Sequence, residues 1–204
     1  MNARIQPYGD QLFRITLSPP LDGFGDFIAA WLVTGSPAFL VDAGPAASAG
    51  QLSAALETLG VRRLDYILLT HIHLDHAGAA GFISARFPEA AVVCHDSAIP
   101  HLADPARLWE GSRKVLGAVA AGYGEPGPVA RERLVPARGF AAQGITAHLT
   151  PGHAPHHVSY AAPPCLFAGE ACGVRYEFDG GAEYLRPATR RAFSWTRPWR
   201  ASTH

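Results

Sequence analysis

Residues 70–76 read Thr-His-Ile-His-Leu-Asp-His and concentrate four side chains of the types that bind metal ions. The segment continues from residues 65–70, a short run rich in apolar side chains that predicts a buried strand. Side chains two positions apart on an extended chain project to the same side, so His71 and His73 can face one site. Asp75 and His76 then come from the turn that opens the next helix. Imidazole and carboxylate ligands together suit zinc, and also iron or manganese.

Two further candidate ligands follow later predicted strands. His153 comes after a predicted strand and a tight Pro-Gly turn, in the sequence Thr-Pro-Gly-His. Glu170 follows the apolar run of residues 165–168 and places a carboxylate at another strand end. Each signal is weak alone, so the prediction of a metal centre depends on their combination with residues 70–76.

Three neutral imidazoles around one cation with an open position lower the pKa of a bound water to about 7. The resulting hydroxide is a nucleophile at neutral pH, and with two metal ions it would bridge them. No Gly-x-Ser-x-Gly elbow is present, so no serine nucleophile is expected. The sequence therefore predicts metal-dependent hydrolysis, with Asp75 orienting the hydroxide and transferring its proton. We expect zinc as the cofactor, one or two ions, with iron or manganese as alternatives.

The elements that must carry these residues alternate between strands and helices. This alternation indicates an α/β or α+β layered domain. The apolar patterns predict strands at residues 12–17, 27–33, 38–41, 65–70, 91–94, 145–150, 157–161 and 165–168. They predict helices at residues 48–60, from 77 to before 88, and at 105–121.

Composition limits the classes of function. The 204 residues suit one domain, and 48% hydrophobic with 17% charged residues is typical of a globular chain. Lys+Arg and Asp+Glu each number 17, so the chain lacks the positive excess that nucleic acid or an acidic membrane attracts. We expect a small-molecule substrate and neither a nucleic-acid nor a membrane partner. Three cysteines without zinc-knuckle spacing and no signal-peptide core predict a cytoplasmic protein.

On four stretches the sequence resembles the metallo-β-lactamase superfamily, from about residue 10 to residue 189. These are Phe-Leu-Val-Asp-Ala-Gly at 39–44, the histidine motif at 71–76, Thr-Pro-Gly-His at 150–153 and Leu-Phe-Ala-Gly-Glu at 166–170. The histidine motif is highly specific, and the others add weight through their order. The resemblance implies an α+β fold, the four-layer αβ/βα sandwich of this superfamily, with the metals at one edge between two sheets.

The resemblance also implies roles for the candidate ligands. His71, His73 and His153 would hold the first metal, and Asp75 and His76 would hold the second.

Two acidic residues also have places in this scheme. Glu170 stands where the family usually has a bridging Asp and is one methylene longer, so it could bridge, bind one metal only, or stay outside the ligand set. Asp42 would orient the metal ligands from behind. Of His156 and His157, one is expected to pack behind the ligands, and Cys172 is expected to be a packed core thiol.

The resemblance ends before the chain does. Family members continue through a further helix and strand to a last histidine that completes the second site, whereas residues 190–204 contain four arginines and two tryptophans with no period. We therefore expect a domain at 1–189 that lacks its last helix and strand, then an irregular tail at 190–204, the product of a frameshift or early stop. The second site should bind metal more weakly. Surface uncovered by the missing elements predicts a homo-oligomer.

The superfamily resemblance leaves the substrate open. A small thioester, ester or lactone is favoured, with a thioesterase resembling glyoxalase II as the first choice. The alternatives are an iron-dependent persulfide dioxygenase and an inactive truncated remnant that still binds metal. Residues 105–128 could cover the site, with Trp109 and Tyr123 lining it, or could instead pack on the sheet or at a dimer contact.

Overall fold

The computed structural model of the chain describes residues 3–26, 28–177 and 183–186. The predicted tail at 190–204 and Phe27, predicted to begin a strand, lie outside the described residues. Within the described part of the chain, no helix combines the length and apolar character needed to cross a membrane.

The large sheet is mixed, and its strands lie side by side in chain order. The first four strands pair antiparallel, and the fourth to seventh pair parallel. Because the carboxyl ends of the parallel strands meet at one edge, the residues that follow them gather there. The strands are β1 (Arg4–Pro7), β2 (Leu12–Leu17), β3 (Ile28–Val33), β4 (Phe39–Val41), β5 (Tyr66–Leu68), β6 (Ala91–Cys94) and β7 (Leu134–Pro136).

A smaller antiparallel sheet lies against the large one, in the strand order β11-β10-β9-β8. His153 lies in the connection between its two central strands, and Glu170 follows the last strand. A separate pair of strands comes after it along the chain. The strands are β8 (Ala141–Ala142), β9 (Ile145–Leu149), β10 (Val158–Ala162), β11 (Cys165–Phe167), β12 (Val174–Glu177) and β13 (Glu183–Arg186).

Helices cover the other face of the large sheet. They are α1 (Ala49–Thr58), α2 (Leu74–Ala77), α3 (Ala80–Arg86), α4 (Ile99–Ala103), α5 (Ala106–Leu116) and α6 (Ala118–Tyr123). Alternation along β4 shows how the layers form: Leu40 packs in the core beneath the helices, whereas Phe39 and Val41 pack in the core between the two sheets. Ile67 and Leu68 of β5 divide in the same way. The described residues therefore form three layers of the predicted α+β sandwich: helices, large sheet and small sheet.

The helix predicted to begin at residue 77 starts earlier and is interrupted. It begins within the histidine motif, at Leu74, as α2, and resumes as α3. The backbone N–H groups of Ala43 and Gly44 donate to the carbonyl of His76 over 2.8 and 3.0 Å, and the N–H of Ala79 donates to the carbonyl of Gly44 over 2.8 Å. These bonds satisfy backbone groups at the helix ends and join α2 to the turn after β4.

Close packing of α3 leaves no room for a side chain at Gly81. A Cβ there would lie 2.8 Å from the carbonyl oxygen of Pro128 and would also clash with the backbone of Gly127. We expect Gly81→Ala to lower the free energy of unfolding by about 1–3 kcal/mol, because the main chain must shift to make room. The urea midpoint measures this.

The matched control is Gly111→Ala in α5, where an added Cβ meets no atom of the described residues within 4 Å. Alanine is the better helix former, so this variant should gain up to about 1 kcal/mol. Equal urea midpoints for the two variants would contradict the packing described for α3.

Candidate metal centre

The ends of β4 and β5 and the turn between β9 and β10 meet at the edge between the two sheets. The N–H of Asp42 donates to the carbonyl of Leu68 over 2.9 Å, which joins the ends of the two parallel strands. The carbonyl of Thr70 accepts from the N–H of Val158 over 2.7 Å, which joins β5 to the start of β10. These backbone bonds bring the Thr-Pro-Gly-His turn beside the histidine motif.

Three imidazoles converge at this edge. His71, His73 and His153 each offer a nitrogen, and these nitrogens all lie within 4.8 Å of one another. Nε2 of His153 is 3.0 Å from Nδ1 of His73. Two separate segments, 80 residues apart in sequence, thus present the three histidines that the family resemblance implies for the first metal.

Hydrogen bonds determine which nitrogen of His71 carries the lone pair that could bind a metal ion. The hydroxyl of Thr70 lies 2.8 and 3.0 Å from the two carboxylate oxygens of Asp42 and 3.0 Å from Nδ1 of His71. Its one hydrogen goes to the carboxylate, so it accepts the Nδ1–H of His71. Nε2 of His71 then carries a lone pair, and it is buried with no hydrogen-bond partner in the described part of the chain. Burial, aided by the neighbouring histidines, holds the pKa of His71 far below its usual value, so the ring is neutral.

Asp42 also orients His76. Oδ2 of the carboxylate lies 2.8 Å from Nδ1 of His76, and Nε2 of that ring is buried and has no hydrogen-bond partner among the described residues. Burial opposes charging of the ring, but the charge and the hydrogen bond of Asp42 raise the pKa of His76 well above its usual value. A cation at Nε2 would displace the proton that this ring otherwise holds. One buried carboxylate therefore directs two imidazoles, as a residue placed behind metal ligands does.

Two carboxylates border the outer part of the centre. Asp75, in the first turn of α2, places an oxygen 3.7 Å from Nε2 of His76, and Glu170 places an oxygen 3.8 Å from the same nitrogen. Glu170 has a shorter contact, 2.7 Å from its Oε2 to Nδ1 of His153. Burial alone would raise the pKa of Glu170, but the close contact with Nδ1 of His153 and the nearby His76 hold it well below its usual value. The structure therefore brings all six predicted ligands together. Within this group, the shortest contact of the Glu170 carboxylate is with Nδ1 of His153.

The sequence analysis did not single out the hydroxyl groups that support the histidines. Thr150 places Oγ1 2.8 Å from Nδ1 of His157 and 2.9 Å from Oγ of Ser159. His157 is the one of the two adjacent histidines that packs behind the ligands, and burial lowers its pKa to about 4. The available signal was a threonine at a strand end shortly before a candidate ligand: Thr70 precedes His71, and Thr150 lies three residues before His153. Cys172 is exposed, so the expectation of a packed core thiol is wrong.

Two cavities border the centre. One has a volume of about 730 Å³, and its walls include Arg14, Trp31, Val41, Leu166 and Phe167 beside His73, Asp75, His76, His153 and Glu170. The other, about 1170 Å³, runs along α5 and shares His73 and Asp75 with the first. Tyr123 lines this second cavity, as predicted, whereas Trp109 packs in a small apolar cluster with residues of α2 and α6.

Sequences of known proteins match most of this chain. The sequence model of the family described as Metallo-beta-lactamase superfamily matches residues 23–203. The chain is 30% identical over 146 residues to Metallo-beta-lactamase fold-containing protein ST1585 of Sulfurisphaera tokodaii, covering 67% of this chain and 53% of that protein. It is 31% identical over 153 residues to a hydroxyacylglutathione hydrolase of Dechloromonas aromatica, covering 72% and 46%. The chain spans about half the length of these curated relatives.

The fold agrees with these similarities. The crystal structure of ST1585 from Sulfolobus tokodaii, an archaeal metallo-β-lactamase superfamily protein, aligns with a TM-score of 0.70 at 25% identity, covering 88% of this chain and 68% of that one. The family match includes the histidine motif and the turn that carries His153. With its layered α+β fold and this histidine cluster at the sheet edge, the chain belongs to the metallo-β-lactamase superfamily.

Proposed function

We propose that this chain is a metal-dependent hydrolase that acts on a small thioester, ester or lactone. The observation that carries the proposal is the convergence of His71, His73 and His153, each of which offers a nitrogen within 4.8 Å of the other two. Among the described residues, the buried Nε2 of His71 has no hydrogen-bond partner, which leaves it available to a cation. Similarity to a hydroxyacylglutathione hydrolase favours a thioester, because an acyl group joined to the thiol of glutathione is a thioester.

The donor set fits a divalent cation, zinc first, with iron or manganese as alternatives. Nε2 of His71, Nδ1 of His73 and Nε2 of His153 would hold it, and a second ion would lie against Asp75 and His76. When bound, such a cation supplies Lewis-acid activation of water and of the substrate carbonyl.

The chain's own residues then handle protons and substrate. Asp75 lines both cavities, and its carboxylate is 20% exposed, so it can accept the proton of the attacking water. The C–O bond forms, the C–S or C–O bond to the leaving group breaks, and Asp75 returns the proton to the departing thiolate or alkoxide.

The first cavity suits a small substrate. Its volume of about 730 Å³ lies within the usual range of small-molecule sites. Trp31, Val41 and Phe167 offer an apolar wall for an acyl group, and Arg14 offers a cation to a carboxylate on the substrate. These contacts support a small anionic or apolar acyl substrate.

Removal of a proposed ligand tests the metal site. We expect the purified wild-type chain to retain at least one equivalent of zinc, iron or manganese after dialysis. His153→Ala should lose tight binding, because only two imidazoles of the first site remain. The matched control is His148→Ala, an exposed histidine of β9 whose ring contacts Thr146, and it should bind metal like the wild type. A wild-type chain without metal affinity would contradict the proposal.

Asp42→Asn tests the orienting carboxylate. The residue has a φ of 57°, which asparagine also tolerates, so the backbone should not change. The amide can no longer accept from both Thr70 and His76 as a carboxylate does, and metal affinity should fall about 10- to 100-fold. Competition with a chelating dye measures the affinity, with Asp104→Asn, an exposed helix-end residue, as the control. Unchanged affinity would exclude this role for Asp42.

A panel of thioesters, esters and lactones, assayed with zinc, iron and manganese forms, tests the reaction. We expect hydrolysis by the wild type and a kcat about 10²- to 10⁴-fold lower for Asp75→Asn, because proton transfer is lost. Asp104→Asn should retain wild-type kcat. Oxygen consumption with a persulfide by the iron form would instead indicate a persulfide dioxygenase. A metal-loaded chain without turnover in any assay would indicate an inactive remnant.

A further inference from the structure

Histidines of the connection between β9 and β10 contact both the backbone and the side chain of Glu170. Its N–H donates to Nε2 of His157 over 3.2 Å, and its Oε2 lies 2.7 Å from Nδ1 of His153. Its other oxygen stays 3.8 Å from Nε2 of His76. The nearest partner of the carboxylate is therefore Nδ1 of His153, whereas Nε2 of the same ring faces His73.

The hydrogen bonds behind Glu170 have one consistent direction. A backbone N–H can only donate, so Nε2 of His157 accepts and its Nδ1–H donates to the hydroxyl of Thr150 over 2.8 Å. That hydroxyl then donates to Oγ of Ser159 over 2.9 Å, and Ser159 donates to the carbonyl of Ala168 over 3.1 Å. Each hydrogen has one acceptor, so the backbone position of Glu170 is well defined.

Gly169 makes this approach to His157 feasible. Its φ is +55°, and a Cβ at this position would lie 2.6 Å from Nε2 of His157 and 2.9 Å from Cβ of Thr70. Only glycine combines this backbone conformation with so little space. The chain can therefore bring the N–H of Glu170 onto His157 and turn its side chain toward His153.

We propose that Glu170 is a positioning residue for His153, accepting its Nδ1–H so that the Nε2 lone pair faces the first metal site, and that it does not bridge two metals. The inference rests on the proposed function, since the centre must bind a cation. A carboxylate behind a histidine ligand fixes the tautomer and ring orientation and raises ligand basicity. The added methylene relative to Asp gives the side chain the reach for this contact. The second site then keeps Asp75 and His76, and the chain holds one ion tightly.

Zinc titrations of the wild type, Glu170→Gln and Glu170→Ala separate this role from that of a bridging ligand. We expect one tightly bound ion in each protein. Affinity for that ion should fall about 10- to 100-fold in Glu170→Ala, and less in Glu170→Gln, whose amide oxygen still accepts a hydrogen bond. Glu89→Ala is the matched control, because this exposed acid lies before β6, at the sheet edge remote from the centre. It should leave affinity and stoichiometry unchanged.

A spectroscopic measurement adds a readout that loss of structure would not mimic. In NMR spectra of the zinc-loaded protein, the Nδ1–H proton of His153 should be protected from exchange in the wild type and in Glu170→Gln. It should exchange rapidly in Glu170→Ala, while the backbone amide spectrum and the urea midpoint remain those of a folded chain.

Three results would overturn the inference, and they are distinguishable. Two tightly bound ions in the wild type, with one lost in Glu170→Ala, would make Glu170 a bridging ligand. Wild-type affinity and a protected His153 proton in Glu170→Ala would show that Glu170 does not position His153, while leaving the proposed function intact. A wild-type chain that binds no cation would overturn the proposed function together with this role.

Discussion

The centre depends on one buried carboxylate. Removing a carboxylate from water costs several kcal/mol unless hydrogen bonds and nearby positive charge compensate it. Asp42 receives the N–H and the hydroxyl of Thr70 and lies 2.8 Å from Nδ1 of His76. The same bonds that stabilise this buried charge engage Nδ1 of His71 and of His76, and Nε2 of each ring has no hydrogen-bond partner within the residues that the structure describes. The compensation of one buried group therefore determines where two ligand nitrogens point.

The contact between the two sheets determines the rest of the ligand geometry. Tyr160 of β10 is fully buried, and its hydroxyl lies 2.9 and 3.0 Å from the carbonyls of Leu69 and Val93 on the large sheet. Together with the bond from Val158 to Thr70, this contact sets β10 against the end of β5. His153 is therefore placed relative to His71 by the packed core between the sheets.

The sequence was informative where a single local pattern decides the outcome. The strands predicted at 12–17 and 91–94 have the bounds of β2 and β6, and the proximity of the ligands followed from their positions at strand ends. The sequence was less informative where hydrogen bonds between residues far apart in the chain determine the local structure. The break between α2 and α3 comes from bonds to Ala43 and Gly44, and the selection of His157 over His156 comes from Thr150 and Glu170. The strands β1 and β7 were missed because both are short and end in proline.

The role proposed for Glu170 would mean that a ligand set does not transfer from a family by position alone. A longer side chain on a similar backbone meets a different nitrogen, and here the contact to Nδ1 of His153 is 2.7 Å against 3.8 Å to Nε2 of His76. A hydrogen bond to a charged group contributes about 1.5–3 kcal/mol, so the nearer partner decides the orientation of the carboxylate. The centre is therefore asymmetric. Asp42, through the hydroxyl of Thr70, orients His71 toward the first site, and Glu170 is proposed to do the same for His153. Asp75, proposed for the second site, also borders both cavities and remains available for proton transfer.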